Sequence, residues 1–262
     1  MEILGYTGAV LIGLVLGMLG GGGSILSIPI LVYLFGKDPV LASAYSLFIV
    51  GVTSLAGAIP KYRENTVNLR MGLVFGLPSL IGIFVTRNWI VPAIPEVLFS
   101  IDEFVMTRRL LLLGLFAVLM VFAAFPMIRG NRFESRNQKL RVFMVVVQGT
   151  IIGFLTGLVG AGGGFLIIPA LVFLTGLPFK TAVGTSLLII SINSLAGFAG
   201  DVFNHPIEWD FLLEITGLSI LGILIGNKLA GHVSQVRLRS AFGWMTLVMG
   251  IWILIREVLL NN

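Results

Sequence analysis

The chain is a duplication. Displaced by 140 residues, GMLGGGGSILSIPILVYLFG, which begins at Gly17, lies over GLVGAGGGFLIIPALVFLTG, which begins at Gly157. ASAYSLFIVGVTSLAG lies over AVGTSLLIISINSLAG in the same register, without a gap. From Gly17/Gly157 to Pro60/Gly200, 19 of 44 pairs are identical. The register persists through Ser79/Ser219, Gly82/Gly222 and Ile83/Ile223. Shared hydrophobicity alone would not align glycines and prolines, so a unit has been copied and the fold must accommodate it twice.

Each copy contains five apolar segments, near residues 5–19, 24–35, 40–59, 70–89 and 110–128, then 145–159, 164–175, 181–199, 211–230 and 241–256. Hydrophobic residues make up 57% of the chain and charged residues 11%, where soluble domains carry about 25% charged residues. With a mean hydropathy of +1.04, this composition reads as an all-α polytopic membrane protein whose solvent is lipid. The third to fifth segments of each copy are long enough to span. The first two reach only about 22 and 18 Å at 1.5 Å per residue, against a hydrocarbon core of about 30 Å. Joined straight, residues 5–35 would run about 46 Å. The glycines Gly20–Gly23 and Gly162–Gly164 sit at the joins and disfavour a straight helix. The expected form is a helical hairpin that turns at the glycines inside the membrane and returns. MEILGY, with no basic region or small-residue cleavage site, reads as the start of the fold.

Charge sets the expected orientation. The chain carries a net +5, mainly in loops, which is topological information and not a nucleic-acid footprint. The linker 129–142 contains RGNRFESRNQKLR, with five basic residues and one acid, and is expected in the cytoplasm. It separates a first transmembrane repeat, 1–128, from a second, 143–262. With hairpins that return to their own side, KYRENTVNLR and NKLAGHVSQVRLRS fall in the cytoplasm. DVFNHPIEWD, with three acids and no Lys or Arg, falls outside. The two repeats are therefore expected to be inverted, with both termini outside. The loop 87–109 has no equally long counterpart. Pro92 and Pro95 argue against a continuous helix there, and EVLFSIDEFVMTRR reads as an interfacial helix or a surface loop over one mouth.

Inverted repeats with broken helices build transport sites. Non-helical backbone inside lipid must be buried in protein or line a cavity. The second arm of each hairpin is expected to start at Ser24 and Gly164, with unpaired amides carrying about half a positive charge toward the membrane centre. Two such ends brought together make an anion site without a buried Lys or Arg. The candidate substrate-binding residues are Gly21, Gly22, Gly23, Ser24, Gly162, Gly163 and Gly164. Tyr45, Ser46, Thr185, Ser186 and Asn193 join them from the third segments, where Tyr45/Thr185, Ser46/Ser186 and Thr53/Asn193 are matched polar pairs. Gly13/Gly17 and Gly153/Gly157 read instead as small-residue packing faces. Glu214 is a further candidate, as an acid inside or at the edge of a span. Lys61, Lys180 and Lys228 fall at segment ends, and Lys180 could snorkel inward. No metal site and no cofactor are expected: cysteine is absent, His205 and His232 fall in loops, and no P-loop ending follows the glycines.

GLVGAGGGFLIIPAL, AVGTSLLIISINSLAG and their first-half counterparts resemble the sulfite exporter TauE/SafE family, also called the toluene sulfonate uptake permeases. The resemblance covers nearly the whole chain. It implies a multi-pass permease of the prokaryotic inner membrane for small sulfur-containing anions, such as sulfite or organosulfonates; related members are associated with other small organic anions. The first half departs from the second at GKDPVLASAYS, where the second has GLPFKTAVGTS. No ATP motif is visible, so a secondary transporter would draw on an ion gradient (H+ or Na+), the substrate gradient or a partner. The expected partners are thus a small anion, a coupling ion and the bilayer, with no nucleic acid; a homo-oligomer is compatible with the sequence. An anion channel, a carboxylate transporter and an accessory subunit whose glycines only pack are the competing readings. A membrane enzyme finds no catalytic set.

Overall fold

A computed structural model of the chain describes residues 2–101, 104–129, 138–159, 163–203 and 206–259. The elements are α1 (Glu2–Leu19), α2 (Gly22–Pro29, continued by a wider turn Ile30–Leu34), α3 (Pro39–Arg63), α4 (Leu69–Val85, continued by a wider turn Thr86–Ile90), α5 (Val91–Ala93), β1 (Val97–Ile101), β2 (Phe104–Thr107), α6 (Arg108–Arg129), α7 (Gln138–Val159), α8 (Gly164–Thr175), α9 (Phe179–Asp201), α10 (Trp209–Gly231) and α11 (Gln235–Leu259). The chain is an all-α polytopic membrane protein apart from the small ribbon β1–β2. Among the described residues, six helical stretches are long and apolar enough to cross a membrane: Pro39–Arg63, Leu69–Ala93, Arg108–Arg129, Phe179–Asp201, Trp209–Gly231 and Gln235–Glu257.

The spans form two layers. Those on α3 and α9 are 72% buried, whereas the other four are 33–44% buried, so α3 and α9 are central and the rest face lipid. On α4, Leu73, Leu77, Ile81 and Phe84 form a stripe at helical spacing, each more than half exposed. Water would penalise such a stripe; hydrocarbon does not.

Glycine contacts fix how the helices run. The phenyl ring of Phe35 fills the space beside Gly5, Ile30 lies beside Gly8, and Leu16 lies beside Gly23, so α2 and its continuation fold back along α1. The helix α1 packs on α10, with Gly13 against Ser219 and Gly17 against Ile223. The helix α7 packs on α4, with Gly153 against Ser79 and Gly157 against Ile83. These are the same pairs displaced by 140. The first helix of each half thus runs parallel to the fourth helix of the other half, with small residues letting the backbones touch. The central helices α3 and α9 cross antiparallel, Gly51 on Leu195 and Gly197 on Leu47.

Helix ends follow local chemistry. The Asp38 carboxylate accepts from the Val40 amide at 2.8 Å, and Pro39 occupies the first turn of α3, where its missing N–H costs nothing. The helix α3 stops at Asn65, in the left-handed region at φ 55°.

Two expectations are corrected. EVLFSIDEFVMTRR holds no interfacial helix: its Val, Leu, Phe and Ile residues favour extended backbone, and β1 pairs antiparallel with β2 in the register Ser100 to Val105 and Ile101 to Phe104. The prolines do not end the preceding span at 89, because the wide turn Thr86–Ile90 lets Pro92 fall at the start of a new turn. Around the basic segment 129–142, α6 runs to Arg129 and α7 starts at Gln138. Gly162 lies outside the described residues, as do Asn204 and His205.

Candidate functional site

The two glycine turns meet. A Cβ built on Gly21 would lie on the backbone of Gly164, and one built on Gly164 would lie on Gly21 Cα and 2.6 Å from Ile190 Cδ1. The turns owe their shape to backbone that only glycine adopts freely: Gly20 has φ +64° and Gly163 has φ +69°. The starts of α2 and α8 are thus brought face to face in the interior.

The helix α2 begins at Gly22, two residues before the expected Ser24. Ser24 therefore lies in the first turn, and its hydroxyl donates to the Gly21 carbonyl at 2.6 Å without capping the free amides. Ser27 donates to the Ser24 carbonyl or exchanges a 2.6 Å hydrogen bond with Ser46 of α3. Ser186 of α9 reaches the Val183 carbonyl at 2.8 Å, and its Oγ would lie 2.9 Å from a Cβ on Gly20. Gly20, Gly21, Gly23, Ser24, Ser27, Ser46, Gly163, Gly164 and Ser186 thus form one central cluster, fully buried or nearly so. Gly22, in the same turn, faces Leu19, Val15 and Met245. Ser27 is absent from the sequence candidates because its duplicate position holds Ile167.

The other candidates lie elsewhere. The Tyr45 hydroxyl accepts from the Glu208 amide at 2.8 Å, anchoring the connection before α10. The Thr185 hydroxyl accepts from the Asn68 amide at 2.9 Å, anchoring the connection before α4. Both the hydroxyls and the amides are displaced by 140, so the two bonds are copies of one device. Asn193 donates to Ser79 Oγ at 2.6 Å across α9 and α4, and its buried Oδ1 has no partner. Thr53 Oγ1, Ser54 Oγ and Ser194 Oγ, on the same central helices, are likewise buried without partners. Glu214 accepts from the Tyr6 hydroxyl at 3.3 Å in an exposed setting.

A 70 Å³ cavity opens beside the turns, lined by Gly17, Lys61, Lys180, Val183 and Asn227. Lys61, 9% exposed, pairs with Glu64 at 3.3 Å. Asn227 donates to the Gly57 carbonyl at 3.3 Å. The cavity sets Lys61 and its partner Glu64, at the end of α3, beside Lys180 at the start of α9, where Pro178 supplies no side-chain cap, a net positive lining at a helix N-terminus.

The residues that sequence reasoning missed are Arg87 and Asp201. By sequence Arg87 opens an outer loop and Asp201 an acidic one; in the fold both lie in helical spans and are buried. Arg87 Nη1 lies 3.1 Å from Asp201 Oδ2, with the side chains 1% and 5% exposed. Both Arg87 amino groups also donate to Ser43 Oγ, at 3.0 and 3.1 Å. A second charged group joins α2, α6 and α11: Glu257 accepts from Arg109 at 3.1 Å and from the Tyr33 hydroxyl at 2.8 Å. Among the described residues, no group of His, Asp or Glu is arranged to hold a metal ion.

No solved structure matches the chain significantly. A "Probable membrane transporter protein" of Xylella fastidiosa (strain Temecula1 / ATCC 700964) is 34% identical over 255 residues, covering 94% of this chain and 92% of its own. A similarly named protein of Methanocaldococcus jannaschii is 28% identical, covering 92% and 93%. One from Bacillus subtilis is 26% identical, covering 86% and 87%. The model of the family described as sulfite exporter TauE/SafE matches residues 6–253, and the chain belongs to that family of membrane transporters.

Proposed function

We propose that the protein is a secondary transporter of small anions, sulfite or organosulfonates first among them. The anion would bind near the midplane at the paired glycine turns. The observation that carries this reading is the contact of Gly21 with Gly164, which sets the starts of two broken helices against each other in the buried interior. Their amides lack helical partners and present positive dipole ends. The hydroxyls of Ser24, Ser27, Ser46 and Ser186 surround them and can turn their protons toward a ligand. A carrier needs such a site to be reached from both sides in alternation. Two inverted repeats meet that need, and the antiparallel crossing of the duplicate helices α3 and α9 supports inversion. With the basic segments inside, both termini lie outside, in a prokaryotic inner membrane.

Asn193 belongs to the reading through its unpartnered Oδ1. An amide oxygen suits a proton donor or a cation better than an anion, so its place is with a coupling H+ or Na+, or with the protonated form of the substrate. Tyr45 and Thr185 contribute by holding the connections that flank the site.

Counterflow of labelled sulfite in proteoliposomes tests the proposal. Uptake stimulated by internal unlabelled anion is expected, and accumulation driven by an imposed ion gradient separates a carrier from a channel. Failure of a panel of sulfite, sulfonates and carboxylates to exchange would refute the anion reading.

A further inference from the structure

The duplication makes the two ends of the molecule comparable, residue by residue. The register of 140 holds in three dimensions through the fourth helices: Gly82 sits on Thr150 as Gly222 sits on Val10, and Gly153 sits on Ser79 as Gly13 sits on Ser219. In that register Arg87 corresponds to Asn227, Asp201 to Lys61 and Ser43 to Val183. At one end Asn227, half-buried, lines a 70 Å³ cavity beside the glycine turns together with the buried Lys61 and Val183. At the other end Arg87 pairs with Asp201 and donates to Ser43, and all three are buried, with side chains 1% and 5% exposed for the ion pair and Ser43 3% exposed. Equivalent positions form a mouth on one side and a plug on the other.

We propose that Arg87, Asp201 and Ser43 form the closed gate of one of two alternating pathways, and that the Lys61–Lys180 cavity is the open end of the other. The proposal rests on the transporter reading and adds to it the residues that close one side.

The chemistry of the plug fits a gate better than a staple. Taking two charges out of water is expensive, and well-packed apolar residues would fill the same space at least as stably. An ion pair has a different property: when it parts, both ions regain hydration, so the open state is not prohibitively high. Apolar packing offers no such return. The pair joins α4 to α9 and, through Ser43, to α3. Its opening would free the space between the central helices and the lipid-facing layer. Arg87 Nε, already buried without a partner, would then face the pathway together with both amino groups. That planar fork matches an oxyanion bidentately. An entering sulfite, sulfonate or carboxylate would replace the Asp201 carboxylate on Arg87, so ligand entry and gate opening become one exchange of partners.

The chain has no cysteine, which suits an accessibility test without substrate. Ser43→Cys and Asn227→Cys are placed singly in otherwise native protein in oriented vesicles and treated with a membrane-impermeant maleimide. Asn227→Cys, at the half-buried cavity position, should label from the Lys61 face, and Ser43→Cys, 3% exposed, should be protected. Adding Asp201→Asn should raise labelling of Ser43→Cys several-fold from the opposite face and lower that of Asn227→Cys. The double exchange Arg87→Asp with Asp201→Arg should restore protection. Should Asp201→Asn not insert, Arg87→Lys, which keeps the charge but loses the two-pronged bond to Ser43, gives the same comparison and should also raise labelling. Equal labelling of Ser43→Cys with and without the pair overturns the gate, even where counterflow in the native protein upholds transport. A shift in labelling supports the gate even where the chosen anions fail to move.

Discussion

Replacing Gly21 with alanine should damage the protein far more than replacing its neighbour Gly22, although both are buried and adjacent. At Gly21 the new methyl would lie on the carbonyl carbon and oxygen of Gly164. Backbone at the start of α8 cannot rotate aside, so the two hairpins must separate. At Gly22 the methyl would meet Leu19 Cβ at 3.0 Å and the ends of Met245 and Val15 at 3.1 Å. Met245 has three rotatable bonds and can withdraw. Overpacking costs about 1–3 kcal/mol, and the backbone clash at Gly21 puts it at the top of that range. At Gly22, inside the first turn of α2, exchanging glycine for alanine returns about 0.5–1 kcal/mol of helix propensity, leaving a net cost near zero to about 1 kcal/mol. The difference, about 2 kcal/mol, changes the folded-to-unfolded ratio roughly thirtyfold. Reversible unfolding by denaturing detergent in mixed micelles would measure it, with counterflow on the folded fraction reporting whether the parted turns still move anion. Equal unfolding midpoints for the two variants would refute the close approach of the hairpins.

Gly163→Ala should also be destabilising, by about 1–2 kcal/mol from its left-handed backbone together with a clash on Thr156, read in the same unfolding assay. Tyr45→Phe removes the acceptor of the Glu208 amide and should cost about 1 kcal/mol, with faster hydrogen exchange at that amide as its local signature. Glu257→Gln should weaken the tie among α2, α6 and α11 by about 1–3 kcal/mol, less than a fully buried pair would lose, because Arg109 is 44% exposed. Asn193→Ala should weaken binding of the coupling ion or of the protonated substrate more than Asn193→Ser, which keeps a hydroxyl near Ser79; identical dissociation constants for the native protein and Asn193→Ala would remove Asn193 from the site.

What was legible in the sequence was whatever repeats. The six spans and the glycine joins follow from apolar run length and from one register, and the packing glycines Gly13, Gly17, Gly153 and Gly157 sit where small-residue spacing puts them; the first arm of the second half is longer than its apolar run, since α7 begins at Gln138. The ion pair was not legible. Arg87 and Asp201 are 114 residues apart in the chain, and each stands where an apolar run gives way to polar residues. Local reading assigns such a residue to a loop, and only the crossing of α4 with α9 buries it. Ser27 escaped for the opposite reason: its duplicate, Ile167, hides the polar role. The ribbon β1–β2 escaped because a short apolar stretch satisfies helical and extended periodicity alike, and strand pairing decided between them.

The asymmetry of the two halves carries its own consequence. Where both ends need the same structural service, the halves supply it with different residues and the same bond: Tyr45 holds the Glu208 amide and Thr185 holds the Asn68 amide. Divergence in sequence is therefore compatible with conserved geometry at those sites. At Arg87/Asn227 and Asp201/Lys61 the divergence changes the chemistry itself, an ion pair at one end against a lysine and an amide around a cavity at the other. Were the halves identical and inverted, the state open to one face and the state open to the other would have equal free energy in a symmetric membrane. A sealed Arg87–Asp201 pair on one side against a cavity lined by Lys61, Glu64 and Lys180 on the other removes that degeneracy. It does so modestly, since about 1.4 kcal/mol shifts a two-state population tenfold, and a carrier can tolerate no more than a modest bias before one state becomes too rare to visit. On that reasoning the resting closure of the Arg87 end is written in the buried positions Arg87/Asn227 and Asp201/Lys61, where the copies differ in charge, and the glycine turns they share serve both states alike.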